Sequence, residues 1–428
     1  MRFRFSPSSA SMPHVPPGAT VLAFSGGLDT SFCVPYLAET TGAPVVTVTV
    51  NTGGFSAAGL EEVEARSREL GAAHHVTVDA RAELWHDSLQ YLVMGNVLRG
   101  GVYPLCVGPE RVTQARGVVR VARRIGAAAI AHGSTGAGND QVRFDVALRI
   151  LAGDVRVLAP IRELALSRNA SADYLEARGF AVSREKATYS INRGLWGTTI
   201  GGAETHRTDG ILPDAAYPDT AVPRDAPDDA RRLTIRFESG VPTALDGEAF
   251  EPVALVERLA ALAGEHGVGR GVHVGDTILG IKGRVGFEAP AALTLIPAHR
   301  ELEKIVLTRW QRVQKDHLAD FYGMLLHEAQ HFDPVMRDIE AFLRSSQAVV
   351  TGDVHVELYK GSARVLGCTS PHSMFDTGVA TYGEQNTLWD GRDAQGFTRI
   401  AGVQALLATA ARRGADQNDG RNDGADAA

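Results

Sequence analysis

Val21-Leu-Ala-Phe-Ser-Gly-Gly-Leu-Asp-Thr-Ser31 decides how the rest of the chain is read. Its first four residues are apolar and follow a Pro/Gly-rich lead-in, the pattern of a short buried strand that stops at Ser25. A helix is expected to begin near Thr30. Between the two, Gly26 and Gly27 let the chain turn tightly and bring bare backbone N–H groups close to a ligand, where a Cβ would obstruct. Those donors and the positive end of the helix suit a phosphate group. A helix dipole alone contributes only about 0.3–1 kcal/mol toward an anion, so several N–H groups and the hydroxyls of Ser25, Thr30 and Ser31 must act together. Asp29 fits beside a polyphosphate if it caps the helix or meets a Mg²⁺ ion. A capped strand-to-helix turn with no ligand is the alternative.

Outward from this turn, strand and helix patterns alternate. Ala43–Val50 is a β-branched run of the kind found in central parallel strands. Ala57–Gly71 reads as a helix, His75–Val78 as a third strand, and Arg81–Leu98 and Pro109–Arg124 as helices, the latter closing at Gly126. Ala128–His132 and Val155–Ala159 supply two more strands. This alternation predicts a doubly wound parallel sheet of the α/β class, with ligands at the carboxyl ends of its strands.

The fourth strand runs into a second chemical stretch, His132-Gly-Ser-Thr-Gly-Ala-Gly-Asn-Asp-Gln-Val-Arg-Phe144. Asp140 and Arg143 are three apart and share a helix face, either as a solvated ion pair or as groups that hold the amine and carboxylate of an amino acid. Because both glycine-rich loops should leave the same sheet edge, the second reading is preferred.

With 428 residues, 44% of them hydrophobic and 22% charged, the chain has the composition of a globular protein of two ordinary domains. No apolar run approaches the ~20 residues of a membrane helix, and residues 1–18 lack the apolar core of a secretory signal, so a disordered leader is expected. Cys33, Cys106 and Cys368 are far apart and odd in number, which argues for reduced thiols and a cytoplasmic protein. A net charge of −7 speaks against an extended nucleic-acid surface. Leu326-His-Glu-Ala-Gln-His331 contains the H-E-x-x-H spacing of a zinc helix, with His327 and His331 expected on one face and Pro334 ending the helix. No third ligand follows at a matching spacing, and no residue is assigned to a metal. Val350–Val365 alternates like a hairpin, Phe397–Arg412 like an amphipathic helix, and Gly414–Ala428 is expected to be disordered.

Ser25-Gly-Gly-Leu-Asp-Thr-Ser31 resembles the pyrophosphate loop of ATP pyrophosphatases, and tRNA-modifying ligases share a similar loop. Together with the second stretch and Tyr189-Ser-Ile-Asn-Arg-Gly-Leu-Trp196, it is similar to successive signatures of the argininosuccinate synthase family, over roughly residues 20–385. That resemblance implies an ATP-binding α/β domain at 19–185, an α+β domain at 186–395 and a C-terminal oligomerisation helix at 396–413, used in a homotetramer. It implies MgATP-driven ligation of aspartate to citrulline through a citrullyl-adenylate, with no nucleic-acid or membrane partner. By motif, Ala23, Phe24, Ser25, Gly26, Gly27, Leu28, Asp29, Thr30, Ser31, Val50 and Gly133 would bind ATP. Thr135, Asn139 and Asp140 would hold aspartate, and Tyr103, Asn139, Arg143, Ser190 and Thr199 would hold citrulline. No general base stands out.

Three positions depart from the family pattern on the acceptor side. Gly108 stands in place of a serine, Gly275 of a glutamate that meets the citrulline amino group, and Phe287 of a tyrosine. Asn192-Arg193-Gly194 also adds positive charge near the site. A charge-assisted hydrogen bond contributes about 1.5–3 kcal/mol, so losing the glutamate would weaken binding of a free α-ammonium roughly 10- to 100-fold. Either another carboxylate such as Asp276 substitutes for it, or the acceptor carries a blocked amine, as N-acetylcitrulline does.

Overall fold

The computed structural model describes residues 18–136, 138–183, 188–379 and 386–422, the last nine of these through the backbone alone. The leader expected at 1–18 lies outside the described residues apart from Gly18, as does the end of the tail from residue 423.

Five strands, β1 (Thr20–Ala23), β2 (Val45–Asn51), β3 (His74–Asp79), β4 (Ala129–His132) and β5 (Arg156–Leu158), form an all-parallel sheet in the order β3-β2-β1-β4-β5. Every residue of β2 is buried, because crossover helices cover both faces and leave no wet side for polar alternation. The chain steps outward from β1 to β3, then returns to the other side of β1, so the topological switch lies between β1 and β4. Their register pairs Ala23 with His132, and both glycine-rich loops therefore leave the sheet level with each other.

The helix after β1 spans Leu28–Thr41, two residues earlier than expected, and starts on an extended Gly27. The helix Glu110–Ile125 closes on Gly126, whose φ of 62° is the left-handed conformation a helix end favours in glycine. The helix expected over Arg81–Leu98 runs without a break from Arg81 to Met94, with a π-helical turn at Trp85–Leu89. It stops at Gly95, which packs so closely on Ala319 that an added Cβ would lie 3.0 Å from the Ala319 methyl.

The second half builds two antiparallel sheets from β6 (Ser190–Gly194), β7 (Gly197–Gly201), β8 (Arg231–Glu238), β9 (Val241–Leu245), β10 (Glu248–Ala249), β11 (Arg270–Asp276), β12 (Lys282–Glu288), β13 (Gly352–Tyr359) and β14 (Ser362–Thr369). Their orders are β10-β9-β8-β13-β14 and β11-β12-β7-β6. The hairpin expected near Val350–Val365 is β13–β14. One hydrophobic core joins residues of 84–107 to this second half, from Leu195 to Leu358, so the segment carrying Tyr103 packs there and not under the parallel sheet.

Residues up to His372 gather into one compact unit and those from Ser373 into a second. The second unit contains helices Gly391–Ala401 and Val403–Asn422, broken at Gly402, where one helix was expected over Phe397–Arg412. Its backbone stays helical to Asn422, past the Gly414 at which disorder was expected. The Ala-rich run Ala405–Ala411 favours propagation of a helix already begun.

Candidate active site

At the switch point, Gly26 (φ 76°) turns the chain back onto Val63, and Gly27 opens the helix without any side-chain cap. The first-turn amides are thus left to a ligand or to water. The loop hydroxyls brace the loop itself: Thr30 Oγ1 donates to the Gly27 carbonyl at 3.1 Å and lies 3.2 Å from Ser25 Oγ. The second loop comes so near that a Cβ on Gly133 would sit 2.9 Å from the Thr30 methyl and 3.1 Å from the Thr30 nitrogen. Only glycine permits that approach.

The two loops wall a cavity of about 580 Å³. Of the residues expected to bind nucleotide, Ala23, Phe24, Ser25, Gly27, Leu28, Asp29, Thr30, Val50 and Gly133 line it. Gly26 and Ser31 do not: Gly26 forms the back of the turn, and buried Ser31 lies with its Oγ 3.4 Å from the Gly26 carbonyl. Arg193, expected to bring positive charge near the site, lines it too, and unanticipated members are Arg111, Gln114, Arg168, Thr52 and His132. Arg111 and Gln114 carry a legible signal, an i,i+3 pair at the start of a helix, bonded at 2.8 Å. Burial raises the Asp29 carboxyl above its ordinary value while the Arg168 cation opposes that shift.

His132 fixes the second loop. Its Nδ1 accepts from the Ser134 amide at 3.3 Å and its Nε2 lies 2.7 Å from Asp145, so the neutral ring carries its proton on Nε2. Arg162 also bonds Asp145, and together these partners hold that carboxyl down to about 2.

Asp140 stands at the seam. Arg111 donates to one of its oxygens at 2.9 Å and Arg143 to the other at 3.0 Å. The two arginines outweigh desolvation and hold the carboxyl below its ordinary value. Asp140 also lines a second cavity of about 300 Å³, with Tyr103, Asn139, Arg143, Thr199 and Gly275 from the expected acceptor set. Asn139 accepts from the Ile278 amide at 2.9 Å, which turns its NH₂ group away from that partner and leaves it available. Thr135 and Ser190 are exposed and line neither cavity. Gly108 faces the Arg143 guanidinium, 3.7 Å from where its Cβ would be, and buried Phe287 backs Tyr103 with ring centroids 5.2 Å apart.

Two expectations about neighbouring residues fail. The carboxylate of Asp276 turns outward to Lys282 at 2.6 Å, and it is the backbone oxygen of Asp276 that accepts from Arg99 and His327. It therefore cannot replace a glutamate at position 275. The shared helix face expected for His327 and His331 is absent as well: the helix Arg309–His327 ends at His327, and Ala329 (φ 64°) turns the chain before His331. Pro334 opens the next helix behind the cap Asp333 instead of ending the previous one. His327 accepts from Arg143 at 2.9 Å, His331 lies 3.2 Å from Arg116, and burial beside those cations pushes both rings down to about 3. No cluster of three or more His, Cys, Asp or Glu side chains suited to a metal occurs among the described residues.

The cysteines are free, and Cys33 and Cys106 are buried. Burial pushes the Cys33 thiol up to about 12 and Cys106 further, so neither offers the thiolate a thiolation enzyme needs.

Residues 19–181 match the model of the arginosuccinate synthase N-terminal HUP domain, and residues 189–408 that of the C-terminal domain. The chain is 42% identical over 392 residues to a protein of Xanthomonas axonopodis pv. citri named argininosuccinate synthase, covering 90% of this chain and 93% of that one. It is 38% identical over 387 residues to one of Methanocaldococcus jannaschii with the same name, covering 90% and 97%. A namesake from Rubrobacter xylanophilus is 40% identical over 386 residues, covering 90% and 93%. The fold, the paired glycine loops and these likenesses agree, and the chain belongs to the argininosuccinate synthase family.

Proposed function

We propose that this chain joins the amine of aspartate to the ureido carbon of citrulline through a citrullyl-adenylate, with AMP and pyrophosphate released. The observation that carries this reading is the seam at Asp140, where a phosphate-type cavity and a smaller polar cavity share one wall. A ligase that moves an activated acceptor toward a second substrate needs such adjacency.

In this reading the uncapped amides of Leu28, Asp29 and Thr30 receive phosphate oxygens, with Arg168 supplying charge at the rim. The NH₂ of Asn139 and the Arg143 guanidinium orient the acceptor beside the shared wall. Asn139 and Asp140 hold aspartate, with its single nitrogen at Asp140 facing the adenylate. Adenylation turns a poor leaving oxygen into a phosphate ester, and positioning supplies most of the remaining acceleration, consistent with a site holding no evident side-chain nucleophile. Mg²⁺ would neutralise phosphate charge when bound. A loop with Asp29 as its one carboxylate suits an ion that arrives on the nucleotide better than an all-protein cage.

Family membership supports citrulline over a blocked analogue or a tRNA as the acceptor. The three free cysteines support a cytoplasmic setting. For a homotetramer the support is the set of exposed apolar side chains Phe397, Ile400, Leu406 and Leu407 of the second unit, since such side chains call for a covering partner. Light scattering should then return four times the 45.6 kDa chain mass. Incubation with MgATP, aspartate and a panel of ureido compounds, read by mass detection of AMP and adduct, tests the activity. ADP in place of AMP, or AMP without adduct, would refute it.

A further inference from the structure

The second cavity holds more positive charge than its own carboxylates neutralise. Asp140 is shared by Arg111 and Arg143, and Asp276 faces out to Lys282. Arg284 donates only to the backbone oxygens of Glu204, Arg207 and Gly210, at 2.6–2.8 Å, and so clamps a turn. Arg99 is different. Its Nη2 donates to the Asp276 backbone oxygen at 2.8 Å, and its Nη1 lies 3.4 Å from His327 Nδ1, already the acceptor of a shorter bond from Arg143. A guanidinium has five N–H donors, and Arg99 has no carboxylate partner among the described residues.

His273 stands beside it. The ring is buried, stacks on Tyr103 with centroids 5.3 Å apart at 15°, and leaves its Nε2 without a partner. Burial and the Arg99 cation hold it below its ordinary pKa, hence neutral near pH 7. Gly275 makes this arrangement possible: a Cβ there would lie 2.6 Å from His273 Nε2 and 3.4 Å from Arg99 Nη1. A guanidinium without a carboxylate partner and, in the tautomer protonated on Nε2, an unpartnered buried imidazole nitrogen, side by side in one cavity, call for an anionic ligand group.

We propose that Arg99 and His273 hold the carboxylate of the acceptor, and that no side-chain carboxylate of this chain is committed to its α-ammonium. The proposal rests on the reading of the second cavity as the acceptor site. It makes the carboxylate, and not the amine, the group by which acceptors are selected. Citrulline is accepted, N-acylation is tolerated, and an acceptor that keeps the amine but lacks the carboxylate is rejected.

The test uses the full chain with saturating MgATP and aspartate, and three acceptors: citrulline, N-acetylcitrulline and N-carbamoylputrescine. For the unaltered chain, kcat/KM for N-carbamoylputrescine should fall at least about 100-fold below citrulline, while N-acetylcitrulline stays within about 10-fold. Arg99→Leu should raise KM for citrulline about 10- to 100-fold with KM for ATP unchanged, and Arg99→Lys should recover part of that loss. The unchanged KM for ATP shows that the variant folds. Equal use of N-carbamoylputrescine, a 100-fold loss on N-acylation, or an Arg99→Leu variant with normal KM for citrulline would each overturn the proposal while leaving the ligase reading intact. AMP formation with none of the three would overturn both.

Discussion

The two cavities that meet at Asp140 are built in opposite ways. The phosphate end of the larger one is made of backbone: two glycine loops level with each other at the sheet's switch point, one helix start without a cap, and hydroxyls that brace the loop, with Arg111, Gln114, Arg168 and Arg193 around it. The smaller one is made of long side chains, with Arg99, Tyr103, Arg143, His273 and His327 converging from separate stretches of chain. A backbone site tolerates little change where two main chains meet, as at Gly133, whose added Cβ would press on the Asp29–Thr30 backbone. A side-chain site can be rebuilt residue by residue, and all three departures from the family pattern, at Gly108, Gly275 and Phe287, fall on that side.

The seam gives the largest effect by which this contrast can be broken. Asp140→Asn removes the charge that holds Arg111 and Arg143 together, so steady-state AMP formation should fall at least about 100-fold with both substrates affected. An effect confined to one substrate would mean the cavities act separately. Next comes Gly133→Ala, whose new methyl would press on the Asp29–Thr30 backbone. Overpacking of about 1–3 kcal/mol should weaken nucleotide binding roughly 10- to 100-fold by calorimetry, with KM for the acceptor unchanged. Gly275→Ala is the mirror experiment, since its methyl meets the ends of movable side chains. Citrulline KM should rise about 10-fold and nucleotide affinity should hold.

The smallest effect sharpens what lies behind the first cavity. Glu110 is buried with Oε1 unpartnered, and burial pushes its carboxyl up to about 8. The folded chain therefore keeps a proton that the unfolded chain releases near pH 4.5, so this contribution is present below that pH and is lost as pH rises toward 8. Glu110→Gln should flatten that loss. Its melting temperature should match the parent near pH 4.5 and exceed it by several degrees near pH 8.

The same contrast explains what was legible in the sequence. Val21–Ser31 announced strand, turn and helix because each signal is local, and the alternation after it fixed the parallel sheet. His327 and His331 misled, because one left-handed residue, Ala329, ends the periodicity on which a helix-face reading depends. Arg99 and His273 carry no spacing that would mark them, 174 positions apart and joined only by the space Gly275 leaves. Ser190 and Thr135 were named by motif, yet both sit exposed outside either cavity wall.

The central claim is that an acceptor in the second cavity reaches a nucleotide in the first across Asp140. Citrulline labelled with ¹⁸O at the ureido oxygen, turned over with MgATP and aspartate, tests this most directly by mass spectrometry of the nucleotide product. The account predicts one ¹⁸O in each AMP and none in pyrophosphate. Unlabelled AMP, or ADP with labelled phosphate, would contradict it.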